Sequence, residues 1–118
     1  MGKSILRDKA YQFSISVINL CRNLQLEQKE YILSRQLLRS GTAVGALVRE
    51  AEFGESRADF AHKMSVALKE ANETEYWLHL LRDTHYISTE QFTRIWPNCD
   101  ELIRLLVATV RTLKSSSK

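Results

Sequence analysis

Apolar residues recur along this chain at intervals of three and four, the spacing of one face of an α-helix, and no segment alternates as a half-buried strand would. Leu6, Ala10, Phe13, Val17, Leu20 and Leu24 form one such stripe and predict a first helix over about 4–24. Residues 25–29 then read as a connection. Leu33, Leu37, Ser40, Val44, Leu47, Val48 and Ala51 predict a second helix over about 30–51. Gly54 reads as its stop, and Ser56 with Asp59 three residues on reads as the N-cap of a third. That helix, about 56–83, turns Phe60, Met64, Ala67, Leu68, Ala71 and Leu78 inward. A second capping pattern, Ser88 to Gln91, opens the fourth, about 88–114, with Phe92, Ile95, Cys99, Leu102, Ile103, Leu106, Val110 and Leu113 inward. Pro97 removes a backbone donor there and predicts a kink after the first turn or two. Rods of about 30–40 Å with short connections predict an all-α fold: one antiparallel up-down-up-down four-helix bundle over 1–118.

The third helix carries a second set of residues opposite Met64. On a helical wheel Val66, Lys69, Glu73, Tyr76, Trp77 and Leu80 point away from the core. An aromatic pair and two aliphatics beside acidic residues have the composition of an interface core. A counterpart lies on the second helix, where Thr42, Gly45 and Ala46 form a small-residue strip flanked by Leu38, Arg35, Arg39 and Arg49. Another copy could approach such a strip closely, its Glu70 and Glu73 pairing with the arginines. Gly41 and Gly45 each cost about 1 kcal/mol against alanine in a helix, which close packing would offset. The alternative is a solvated face with a few stray apolar residues. Glu75 falls between Leu68, Ala71 and Leu78 on the inward side, where an ionised carboxylate needs a partner. A structural role there is preferred to that of a catalytic acid.

The net charge of +3 is unevenly spread: +5 over 1–49, −4 over 50–83 and +2 over 84–118. A basic end beside an acidic middle suits self-association as well as polyanion binding. Arg104, Arg111 and Lys118 recur every seven residues on the outer side of the fourth helix, and Arg7, Lys9 and Arg22 lie beside the core stripe of the first. Such stripes can track phosphates of RNA or DNA with salt-sensitive affinity. Asp8, Asp100 and Glu101 sit among them, and ordinary surface solvation is the competing reading.

Little points to catalysis. Asp59-x-x-His62 lacks the second copy that a di-iron bundle site needs, His79 and His85 are scattered, and no phosphate-binding loop or nucleophile motif occurs. We expect no enzyme, no cofactor and no metal. Cys21 and Cys99 lie on predicted core faces without metal spacing and read as buried thiols of a reducing cytoplasm. The longest apolar run, Leu105–Ala108, is far below the ~18 residues of a membrane span, and no signal-peptide apolar stretch follows Lys3 and Arg7.

The segment Gly41–Leu81 resembles the bacterial four-helix-bundle family named after proteins encoded within intervening sequences of 23S ribosomal RNA genes. Arg49-Glu50-Ala51, Ser56-Arg57-Ala58-Asp59-Phe60, Lys69-Glu70-Ala71 and Glu73-Thr74-Glu75-Tyr76-Trp77-Leu78 carry the likeness. The resemblance implies a cytosolic helical protein assembling as a ring-like homopentamer. It extends distantly to the accessory protein of diversity-generating retroelements, a basic pentamer that binds nucleic acid and a reverse transcriptase. Leu47 stands where the family pattern has a polar Asn before Val48-Arg49-Glu50, so no polar role attaches to that position. The function expected is that of a non-enzymatic homo-oligomeric accessory protein associated with nucleic acid. The alternative is a scaffold ring contacting a protein partner, and a small-molecule or metal-binding bundle stands third.

Overall fold

Each helix starts where a side chain can satisfy its free backbone N–H groups, and those caps set the architecture. The structure is a computed structural model describing residues 4–116, in which α1 is Ile5–Gln28, α2 Leu33–Glu52, α3 Arg57–Asp83 and α4 Thr89–Ser116. The Ser4 hydroxyl accepts from the Arg7 N–H at 3.0 Å, and the Ser56 hydroxyl accepts from the Asp59 N–H at 3.0 Å. At α4, Ser88 and Gln91 cap each other, side chain to backbone in both directions, at 3.0 and 2.8 Å.

The first connection differs from the sequence expectation. Helix α1 runs four residues past Leu24, and α2 begins at Leu33 instead of residue 30. Lys29 takes the left-handed conformation (φ 56°) and returns its N–H to the Leu24 carbonyl. Glu30, nearly buried, then accepts from the N–H groups of Ile32, Leu33 and Ser34 at 3.2, 3.0 and 2.7 Å. A carboxylate two residues upstream caps α2, an arrangement with no standard spacing to read. Gly54 does not end α2 through a left-handed turn, since no glycine among the described residues has positive φ. A Cβ there would collide with the Asp59 carboxylate. Pro97 does not interrupt α4, which is helical on both sides of it.

Cross-helix pairs fix the antiparallel order. Val17 meets Gly41, Ser40 meets Thr74, Ala71 meets Cys99, and Lys9 meets Glu101. The bundle measures 48 × 24 × 21 Å, each helix packing on its neighbours in sequence and α1 closing the ring against α4. Phe13, Val17, Leu24, Leu37, Val44, Val48, Met64, Leu78, Leu81, Leu102 and Leu106 fill the core, and Leu6, Leu20, Phe60 and Leu68 line its edge. Cys21 and Cys99 are buried free thiols, donating to the carbonyls of Ser34 and Ala71. Burial, reinforced by Glu30 and Glu75 respectively, pushes each up to about 12. With Lys9 opposite Glu101, the start of α1 lies level with about residue 105, so the last turns of α4 run on past it.

Candidate interaction surface

Two helices supply the surface that stands out. On α1, Tyr11, Ile15, Ile18, Arg22 and Leu26 follow one another at four, three, four and four residues, which puts them on one face. Tyr11 and Leu26 are 62% and 63% exposed, and Ile15 and Ile18 are exposed as well. Ile18 and Leu26 join Cys21, Arg22, Gln25 and the half-buried Leu38 of α2 around a shallow groove between the two helices. Thr42 and Ala46 continue that side of α2, flanked by the exposed Arg35, Arg39 and Arg49. This α1 stripe was missed in the sequence, although its spacing was readable. The core stripe of the same helix competes with it, and periodicity alone ranks neither above the other.

The expected small-residue strip is partly reassigned. A Cβ at Gly41 would lie 2.8 Å from both Cγ atoms of Val17, and one at Gly45 would lie 3.1 Å from Ser14 Oγ and 3.3 Å from the Ala10 carbonyl. Both glycines therefore serve the approach of α1 within this chain; Gly45 does not belong to an outward strip.

Helix α3 is corrected further. Of its predicted outer residues, Lys69 and Tyr76 are exposed, Tyr76 by 59%; Val66, Glu73, Trp77 and Leu80 are half-buried. The Trp77 ring packs against the core edge, and its N–H donates to Glu73 Oε2 at 3.1 Å. The rest of the fully outward face, Ala58, His62, Ser65 and Asn72, is small or polar. The physical reason is geometric: four of the six wheel positions assigned to solvent lie on the flank of α3, where Arg39 of α2 reaches Glu73.

The arginine–carboxylate pairing expected between copies forms inside the chain. Arg39 holds Glu73 through Nη2 and lies 3.1 Å from Glu70 Oε1 through Nη1. The second contact is one of charge alone, since buried Glu70 Oε1 accepts no hydrogen bond among the described residues. The hydrogen bonds from Arg39 and then Trp77 hold the Glu73 carboxyl below its ordinary range and, reciprocally, raise the Arg39 guanidinium. Glu75, half-buried, accepts from the Trp96 indole N–H at 3.0 Å, the partner that its inward position calls for. His79 lies half-buried against Phe92 and Trp96, with ring centroids 5.1 and 6.4 Å away.

The basic candidates are not brought together. Arg7 binds Glu52 at 3.3 Å and lies over the exposed Phe53 ring, Lys9 binds Glu101 at 3.2 Å, and Arg104 binds Asp100 at 3.1 Å. Arg22 and Arg111 have no ion-pair partner among the described residues, and Lys118 lies outside them. Arg22 sits within the apolar stripe of α1, leaving Arg104 and Arg111 on the outer face of α4. No group of three or more His, Cys, Asp or Glu is placed to hold a metal among the described residues. None of the described helices is long and apolar enough to cross a membrane.

Against this geometry stand the comparisons with known proteins. Residues 3–108 match the family model described as 23S rRNA-intervening sequence protein. Among solved structures, the chain is similar to a protein of unknown function from the S23 ribosomal protein family of Bacteroides thetaiotaomicron. The two are 49% identical with a TM-score of 0.88, over 90% of this chain and 98% of that one. No curated protein matches the chain.

Proposed function

Because this chain belongs to the family of 23S rRNA-intervening sequence proteins, we propose that it acts by binding, as a homo-oligomeric accessory protein of the cytoplasm, a ring of five copies associated with RNA or DNA. The observation carrying this reading is the exposed stripe Tyr11, Ile15, Ile18 and Leu26 beside Thr42 and Ala46. Contiguous exposed apolar side chains on a helix face are the mark of an interaction site. A ring uses two different patches on each copy. The α1–α2 face is one, and the flank of α3 with Tyr76 and the Arg39–Glu73 pair is the second. Five copies would raise the charge from +3 to about +15, a field that favours non-specific phosphate binding through Arg104 and Arg111.

Replacing Tyr11 and Ile18 together by Asp is expected to give monomers by light scattering with helicity retained; unchanged mass would remove the face from the assembly. Titrating polynucleotide at low and high salt tests the second half. Binding that falls steeply with salt and disappears when Arg104 and Arg111 become Glu supports it. Absence of binding at low salt leaves a scaffold that contacts a protein partner, a reverse transcriptase among the candidates. The internal pairing of Arg7, Lys9 and Arg104 favours that second reading.

A further inference from the structure

Two arginines on the outer side of α1 and α2 have nothing to pair with. The side chains of Arg22 and Arg35 make no ion pair, hydrogen bond or ring contact among the described residues, whereas Arg7, Arg39, Arg82, Arg94 and Arg104 are each held by a carboxylate. They stand level with each other, because the residues just before them meet: the Cys21 thiol donates to the Ser34 carbonyl at 3.2 Å. Arg22 lines the shallow groove of about 400 Å³ with Ile18, Leu26 and Leu38, and no lining residue is acidic. Arg35 lies one turn before Leu38 on the same side of α2. Nearby acids are turned elsewhere. Glu30 is taken up by the N–H groups at the start of α2, and Glu27 lies half a turn round α1 from Ile18. The groove begins about 20 Å along α1 from Ile5, its first residue.

We propose that this face docks an acidic amphipathic helix of another protein, in competition with the neighbouring copy of the ring. The proposal rests on the reading of the α1–α2 face as the interaction site. Apolar side chains of the guest would lie over Ile15, Ile18 and Leu26 and against Leu38, and carboxylates along its edges would meet Arg22 and Arg35. Two packed helices present a groove that a third helix fills with anchors one turn apart. From Tyr11 to Leu26 the stripe runs about 22 Å, roughly four helical turns. A neighbouring copy can cover the apolar stripe, but its α3 flank brings Glu70 and Glu73 already held by Arg39. The two unpaired arginines therefore select a guest with carboxylates to spare. A polynucleotide would meet the same arginines, yet its phosphates gain nothing from Ile18, Leu26 and Leu38, so a peptide fits the groove better.

A labelled synthetic peptide of about 15 residues, the length of the stripe, tests the proposal, with leucine at every third and fourth position and glutamate along both edges. Titrated with the full chain and followed by fluorescence anisotropy, it should bind saturably and more weakly as salt rises. Replacing Arg22 and Arg35 together by Glu, both on exposed side chains, should weaken binding about tenfold or more with helicity retained by circular dichroism. Ile18→Asp should abolish it, and the peptide with lysine in place of glutamate should bind far more weakly. Bound peptide should also lower the mass seen by light scattering toward that of one chain. Absence of saturable binding overturns the proposal, as does equal affinity for the lysine peptide or binding indifferent to both arginines. Polynucleotide that displaces the peptide through the same two arginines would assign them to phosphate, and overturns it too. A chain that is monomeric from the start and still binds the peptide removes the ring and upholds the docking site.

Discussion

Helix α1 meets its two neighbours by different physics. Against α2 it closes to backbone distance, with the branched side chain of Val17 seated on Gly41 and Ser14 beside Gly45. Behind them a buried polar end is fully connected, Glu30 capping α2 while Ser34 donates to the Glu30 carbonyl at 2.8 Å. Against α4 the polar tie is at the surface, between Lys9 and Glu101, 43% and 42% exposed, while the Gln28 amide donates to the Tyr86 carbonyl in the connection between α3 and α4. Exposed ion pairs contribute about 0.2–1 kcal/mol, whereas a buried close contact tolerates no added atom without a shift. The α1–α2 hairpin is thus the tight half of the ring, and the α1–α4 seam is where local opening should begin.

The strongest way to break that contrast is Gly41→Val. Its Cβ would meet both Val17 methyls at 2.8 Å, and Val17 is stiff and buried, so repacking is costly. We expect a loss of about 3 kcal/mol in urea unfolding, partly recovered when Val17 is also replaced by Ala. A loss below about 1 kcal/mol would show that the seam can yield. Next comes Glu30→Ala, which strips three N–H groups at the start of α2 of their acceptor; about 2 kcal/mol is expected, with faster amide exchange at Ile32–Ser34.

Acid titration sharpens the comparison from the α2–α3 side. The folded Glu73 carboxyl titrates below its ordinary 4.5, so its contribution to stability is present above that pH. The contribution is lost as pH falls through the lower folded value. Unfolding midpoints measured between about pH 6 and about pH 3 should therefore drop on the acid side, and Arg39→Ala should flatten that slope. The smallest effect belongs to the α1–α4 edge: Lys9→Ala should change stability by less than about 0.5 kcal/mol. A loss several times larger would erase the difference between the two seams.

Helix existence, order and most of the core were legible because a buried helix face imposes its period directly on the residues. Phe13, Val17, Leu37, Val44, Met64, Leu78, Leu102 and Leu106 were readable this way, and so were the caps at Ser56 and Ser88. The interaction surface was legible only in part. Leu38, Thr42 and Ala46 remain on an accessible side of α2, but Gly45 turns to α1, and Trp77, Val66 and Leu80 turn to the flank of α3. A wheel drawn for one helix separates inward from outward, yet it does not say where the neighbouring helices stand around it.

By itself the chain determined four amphipathic helices, their antiparallel succession and the family to which they belong, because short-range spacing and capping chemistry act within a few residues of each other. Tertiary structure alone decided which flank each half-apolar face rests on. It paired Arg39 with Glu70 and Glu73, and seated Gly41 against Val17. Those outcomes depend on the register and rotation of one helix against another, which the distant side chains of several helices settle together.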